Sequence, residues 1–175
     1  RPDPLTGEAV PKVIYAVPGV PWEMQEMVSG TVLADLRRRA GITSSIASRT
    51  LRTWGESESG LAEMLAGRMD ELDRLADSGA PAATIAFLAS GGEGLKVRLT
   101  AKAATAEGVA DILAAEEQVV RGLLGGLVFG VDDDTMESVV LDLLRERGMT
   151  LGVAESLTGG MVGSRLCDVP CASDV

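Results

Sequence analysis

Residues 95–103 read Leu-Lys-Val-Arg-Leu-Thr-Ala-Lys-Ala, and no other stretch limits the fold so tightly. In an extended chain, Leu95, Val97, Leu99 and Ala101 fall on one side and Lys96, Arg98, Thr100 and Lys102 on the other, because strand side chains alternate with a period of two. A sheet with one buried and one solvated face accommodates that pattern, which is the habit of antiparallel sheets. Ser90-Gly-Gly-Glu-Gly94 stands just before it, and Thr84–Ala89 before that. Two strands joined by a glycine-rich hairpin tip are therefore predicted. Gly91-Gly-Glu-Gly94 also matches the GxxG of a nucleic-acid clamp, but that clamp joins two helices, and here the motif lies between strands.

Helical periodicity flanks the hairpin. Leu61, Met64, Leu65, Met69, Leu72 and Leu75 recur at three- and four-residue spacing within Gly60–Ala76, with Ser57 or Ser59 as the cap. A second helix is predicted over Glu107–Leu124, and strands over Ile46–Thr53 and Leu127–Val131. The order β-α-β-β-α-β from about 46 to 131 describes a small α+β module with its own core. Before it, Lys12–Val17 reads as a buried β-branched strand, Pro18–Pro21 as a turn, and Trp22 onward as a helix toward Arg39, closed by Gly41. After it, Asp132-Asp-Asp-Thr135 opens a helix to about 147, and Thr150–Ala154 is a short strand. The fold class is thus α/β and α+β, with boundaries near 42–45 and 131–134 that divide the chain into 1–44, 45–131 and 132–175.

Composition narrows the functions. Of 175 residues, 46% are hydrophobic and only 3% aromatic, so the core must be aliphatic, and Trp22 and Trp54 are expected to be packing anchors. A net charge of −10 argues against a nucleic-acid partner, and residues 49–131 alone hold 12 acidic and 8 basic side chains. No apolar run reaches the roughly 18–20 residues of a membrane span, and the expectation is a chain with no secretory leader and a cytoplasmic location. Cys167 and Cys171, with no histidine in the chain, make a poor zinc site. Three consecutive carboxylates, Asp132–Asp134, are better placed for capping and the helix dipole than for a metal.

The chemistry-bearing stretch is Glu155-Ser-Leu-Thr-Gly-Gly160, a turn between the predicted strand 150–154 and a following helix. Such a turn exposes a hydroxyl where α/β sheets bind ligands, and free N–H groups at a helix start hold anions. Residue spacing alone leaves two readings. Ser156 or Thr158 N-caps the helix, or Ser156 is a nucleophile whose neighbours shape a binding turn. Glu155 is equally a ligand contact or a strand end.

Three groups of residues carry a resemblance. Leu151–Gly160, followed by Ser164-Arg-Leu166 and Val169-Pro170 with Ala172-Ser173, is similar to the C-terminal domain of the CinA (competence/damage-inducible protein A) family. Pro18–Met24 with Met27 looks like the end of that family's molybdopterin-binding-like N-terminal domain. Ser48–Ser57 and Val97–Ala101 look like its KH-type middle module. The resemblance implies a nicotinamide-nucleotide amidase: Ser156 as the catalytic nucleophile on the carboxamide of nicotinamide mononucleotide, with Glu155, Thr158, Gly159, Gly160 and Ser173 around the pyridine nucleotide. It implies no metal or other cofactor for the amidase, and a homo-oligomer. A divalent metal belongs only to the ADP-ribose pyrophosphatase chemistry that the family's N-terminal domain implies, whose residues are mostly absent here.

The chain departs from the family in two places besides. Cys171 stands where the family has glycine, and the family's tyrosine and lysine downstream of the serine have no counterpart before Val175. An internal piece of a longer protein, inactive by itself, is the expectation; a binding or oligomerisation module at 46–131 is the alternative.

Overall fold

The computed structural model describes residues 12–41, 44–89 and 91–175. The chain divides into two compact units, Arg1–Thr43 and Ser44–Val175.

In the first unit, residues 12–18 have no regular secondary structure, and Ile14 is 94% exposed. The expected buried strand is therefore absent. A β-branched run supplies the propensity, but burial and cross-strand hydrogen bonds have to come from neighbouring strands. Helix α1 (Pro21–Met27) begins with proline in its first turn and runs through a π-helical stretch, Val28–Val32, into α2 (Leu33–Ala40). Gly41 ends it at φ +58°, as anticipated from the glycine. Trp22 is 64% exposed, where a packing anchor would be buried. The Tyr15 hydroxyl donates to Asp35 at 2.5 Å and ties residue 15 to α2. That bond, followed by the one from Arg39, holds the Asp35 carboxyl down at about 2.

The second unit realises the predicted α+β order. Strands β1 (Ser45–Thr53), β2 (Ala83–Ala89), β3 (Leu95–Ala103) and β4 (Val128–Val131) form one antiparallel sheet in the order β2-β3-β1-β4. Helices α3 (Glu58–Asp77) and α4 (Ala106–Leu124) cover one face. The alternation in β3 works as read: Val97, Leu99 and Ala101 are buried, while Arg98 and Lys102 are exposed. They join Leu51 from β1, Leu61 and Leu65 from α3, and Val109, Val120 and Leu124 from α4 in one aliphatic core. Burying each leucine there contributes about 1.5–3 kcal/mol.

Ser57 and Thr105 cap the two helices, each accepting a backbone N–H at 3.1 Å from Gly60 and Gly108. Arg68 of α3 reaches Glu116 of α4 through a two-pronged ion pair at 3.0 and 2.6 Å. Residues 91–94 form the hairpin tip, not a helix-to-helix clamp. Gly94 has φ +82°, and a Cβ there would lie 2.4 Å from the Thr53 carbonyl oxygen, so no other residue fits.

Beyond β4 the chain forms α5 (Met136–Glu146), the seven-residue α6 (Met161–Cys167) and a 3-10 turn, Ala172–Asp174. Thr135, not the aspartates, caps α5 through a capping box with Ser138. Asp132 and Asp134 instead accept the Thr50 and Val131 N–H groups, which tie the turn to the sheet. Gly148 ends α5 at φ +61°. Residues 150–154 have no regular secondary structure, so the short strand expected there does not form among the described residues. No helix among them is long and apolar enough to cross a membrane.

Candidate functional site

The backbone from 155 to 163 turns sharply, with Leu157 at φ +74°, Gly159 at +65° and Gly160 at +83°. Two glycines make two of those left-handed positions free of Cβ clash; Leu157 carries the cost itself. Gly160 is the N-cap of α6 and has no side chain to satisfy the helix's first N–H groups.

Glu155 does that work. Its Oε2 accepts the N–H of Val162 at 2.9 Å and the hydroxyl of Thr158 at 2.6 Å, and its Oε1 accepts the N–H of Gly163 at 2.9 Å. Those donors, the Thr158 hydroxyl foremost, lower the Glu155 pKa below the ordinary carboxylate value. Neither Ser156 nor Thr158 caps the helix, so the capping alternative is answered by a residue upstream of both.

Ser156 is exposed, and its hydroxyl makes no hydrogen bond among the described residues. Ser173 is also exposed, on the last 3-10 turn. Arg145 anchors that region by donating to the Cys171 carbonyl at 2.7 Å. Cys171 itself adopts φ +61°, which gives a physical reason for a glycine there. The fold thus brings Glu155, Thr158 and the start of α6 into direct contact and leaves Ser156 free beside them. Ser173 makes no hydrogen bond to any of them.

Between the sheet and the two C-terminal helices lies a cavity of about 590 Å³. Trp54, Phe129, Met136, Val140, Leu151 and Leu166 give it apolar walls. Its charged lining is already paired: Arg52 with Glu93 at 3.2 Å, and Glu137 with Arg165. None of Glu155, Ser156, Thr158, Gly159, Gly160 and Ser173 lines it. The free hydroxyl and the shaped turn, rather than the larger hollow, mark the candidate chemistry. Trp54, 53% exposed on the cavity wall, is not the packing anchor its bulk suggested. Its position directly after the strand's last buried residue, Thr53, put it on the open face, and that alternation was the signal for it. Among the described residues no group of acidic, cysteine or histidine side chains is arranged to hold a metal ion.

Residues 48–130 match the family model described as "Damage-inducible protein CinA KH domain", and residues 133–175 match the "CinA C-terminal domain". The chain belongs to the CinA family. It is 50% identical over 161 residues to a CinA-like protein of Frankia casuarinae, covering 92% of this chain and 36% of that protein. It is 43% identical over 162 residues to one of Prochlorococcus marinus, covering 93% and 35%. With one of Gloeobacter violaceus it shares 41% over 160 residues, covering 91% and 35%. The chain therefore spans little more than a third of these CinA-like proteins. The CinA C-terminal match includes the whole Glu155–Gly160 turn and Ser173.

Proposed function

We propose that this chain carries the nucleophile-bearing turn of a nicotinamide-nucleotide amidohydrolase. In that reading Ser156 Oγ attacks the carboxamide carbon of nicotinamide mononucleotide, and ammonia leaves from the tetrahedral adduct. Water then cleaves the acyl-enzyme to release nicotinate mononucleotide and restore the serine. The observation that carries it is the free, exposed Ser156 hydroxyl on a turn that its neighbours hold in a left-handed bend, inside a CinA C-terminal match. Thr158, Gly159, Gly160 and Ser173 complete the nucleotide-binding surface in this reading. A serine needs a neighbouring base. The chain contains no histidine, its three lysines are Lys12, Lys96 and Lys102, and no basic side chain among the described residues hydrogen-bonds Ser156. The isolated chain accordingly hydrolyses the substrate no faster than background.

Ammonia release from nicotinamide mononucleotide tests this in two proteins: the 175-residue chain, and a chimaera in which the chain replaces its matching segment in the full-length Frankia protein. Activity is expected only in the chimaera, and Ser156→Ala abolishes it. A chimaera equally active with alanine contradicts the assignment of the nucleophile; an active isolated chain contradicts the missing base.

A second reading, an assembly module at 46–131, is favoured by the sheet face opposite the helices. There Lys102 pairs across β1 with Ile46, which is exposed, and Arg98 with Thr50. Light scattering on the eluting protein tests it, and a strict monomer counts against it.

A further inference from the structure

The turn that presents Ser156 has little else to hold it. Leu157 is 104% exposed and packs on nothing, and α6, at seven residues, is too short to stand on its own propensity. Its N-cap, Gly160, provides no side-chain acceptor. Val162 and Gly163 are the second and third residues of the helix, whose N–H groups an N-cap Ser, Thr or Asp ordinarily receives. Here Glu155 receives both from the far side of the turn, and receives the Thr158 hydroxyl as well.

We infer that Glu155 is the positioning residue of this turn, and neither a ligand of the substrate nor the base for Ser156. A carboxylate that stands before the bend and accepts three hydrogen bonds, one from Thr158 inside it and two from Val162 and Gly163 after it, ties the two ends of residues 156–160 together. Charge-assisted bonds of this kind are the strong ones, and rotating the carboxylate outward to a ligand leaves two helix N–H groups without an acceptor. Because Glu155 does the capping, the Ser156 hydroxyl is released from that task. The inference about the turn stands on its own geometry; its bearing on catalysis rests on Ser156 being the nucleophile.

NMR on the isotope-labelled 175-residue chain tests it, with nicotinamide mononucleotide as the probe. The Glu155 carboxyl carbon is expected to titrate below the ordinary glutamate range, and the Val162 and Gly163 amide protons to follow with the same midpoint. Glu155→Ala raises exchange at those two amides by roughly tenfold or more and leaves the Val97 and Leu99 amides unchanged, which shows that the module is still folded. Saturating nicotinamide mononucleotide shifts the Ser156–Gly160 amides and leaves the Glu155 carboxyl carbon where it was. A Glu155 that titrates normally, with no echo at Val162 and Gly163, overturns the inference. So does a probe that moves the Glu155 resonance and frees the two amides. A probe that shifts no resonance counts against the proposed substrate, while the titration still decides the role of Glu155.

Discussion

The sheet module at 44–131 and the segment at 132–175 belong to one compact unit and one family, yet they are built on opposite terms. The module buries Leu51, Leu61, Leu65, Val97, Leu99 and Val120 completely, and its helices start at ordinary Ser57 and Thr105 caps. In the C-terminal segment only Leu141 is buried, while Met149, Leu151, Val153, Met161 and Val162 are substantially exposed. Its order comes from polar ties: the Thr135 capping box, Arg145 on the Cys171 carbonyl, Arg165 on Glu137, and the three bonds to Glu155. Most of the buried core lies in the sheet module, and the candidate chemistry in the region with the least core. This is the usual division between a scaffold and the loops it carries.

The sharpest way to break the contrast is inside the module. Glu116 is 4% exposed at its side chain and bound to Arg68, so Glu116→Ala removes the bridge between the two helices and leaves Arg68 paired only with Glu71 of its own helix. A loss of about 1.5–3 kcal/mol is expected, read as a lower urea midpoint for the whole unit. Leu141→Ala comes next. Its half-exposed surroundings can partly collapse onto the gap, so about 2 kcal/mol is expected, and near-native protection of β3 is retained while α5 loses its own. An equal loss in both places would mean that the segment and the module are a single cooperative core.

Cys171→Gly is a smaller effect with the opposite sign. The left-handed backbone at φ +61° costs a non-glycine residue about 1–3 kcal/mol. Part of that is offset by the greater freedom of glycine in the unfolded chain, leaving a gain of up to about 1 kcal/mol, measurable as a raised melting temperature of the segment. The smallest effect is in pH. The pKa of Glu155 is lower in the folded chain than in the unfolded one, so its stabilisation is present in full above the ordinary glutamate value and is lost as pH falls through the lowered one. The start of α6 is expected to loosen below about pH 4.5, while the aliphatic core does not respond; circular dichroism and amide shifts collected from pH 7 to pH 3 separate the two.

What the sequence disclosed follows the same divide. In the module the signals are local: two-residue alternation in 95–103, three- and four-residue spacing in α3, a serine before that helix, glycines at the hairpin tip. Such signals need no knowledge of neighbours, so strands, helices and core were legible. Residues 12–17 and 150–154 read as strands but form none, because their apolar runs supply propensity without a ladder. The site was half legible. Small residues at 156–160 announced a turn, but the capping group sits at Glu155, outside the position where caps are sought. No spacing rule announced the Arg68–Glu116 pair, which depends on how two helices cross.

Native-state hydrogen exchange on the purified chain measures the division directly. Amides of Leu51, Val97, Leu99 and Val120 are expected to exchange together and slowest, through unfolding of the entire module. Those of α5 and α6 are expected to exchange at least roughly 100-fold faster, through openings that leave the sheet intact, with Val162 and Gly163 the slowest of α6. Equal slow exchange in α5, α6 and β3 would contradict a self-sufficient scaffold bearing a dependent site.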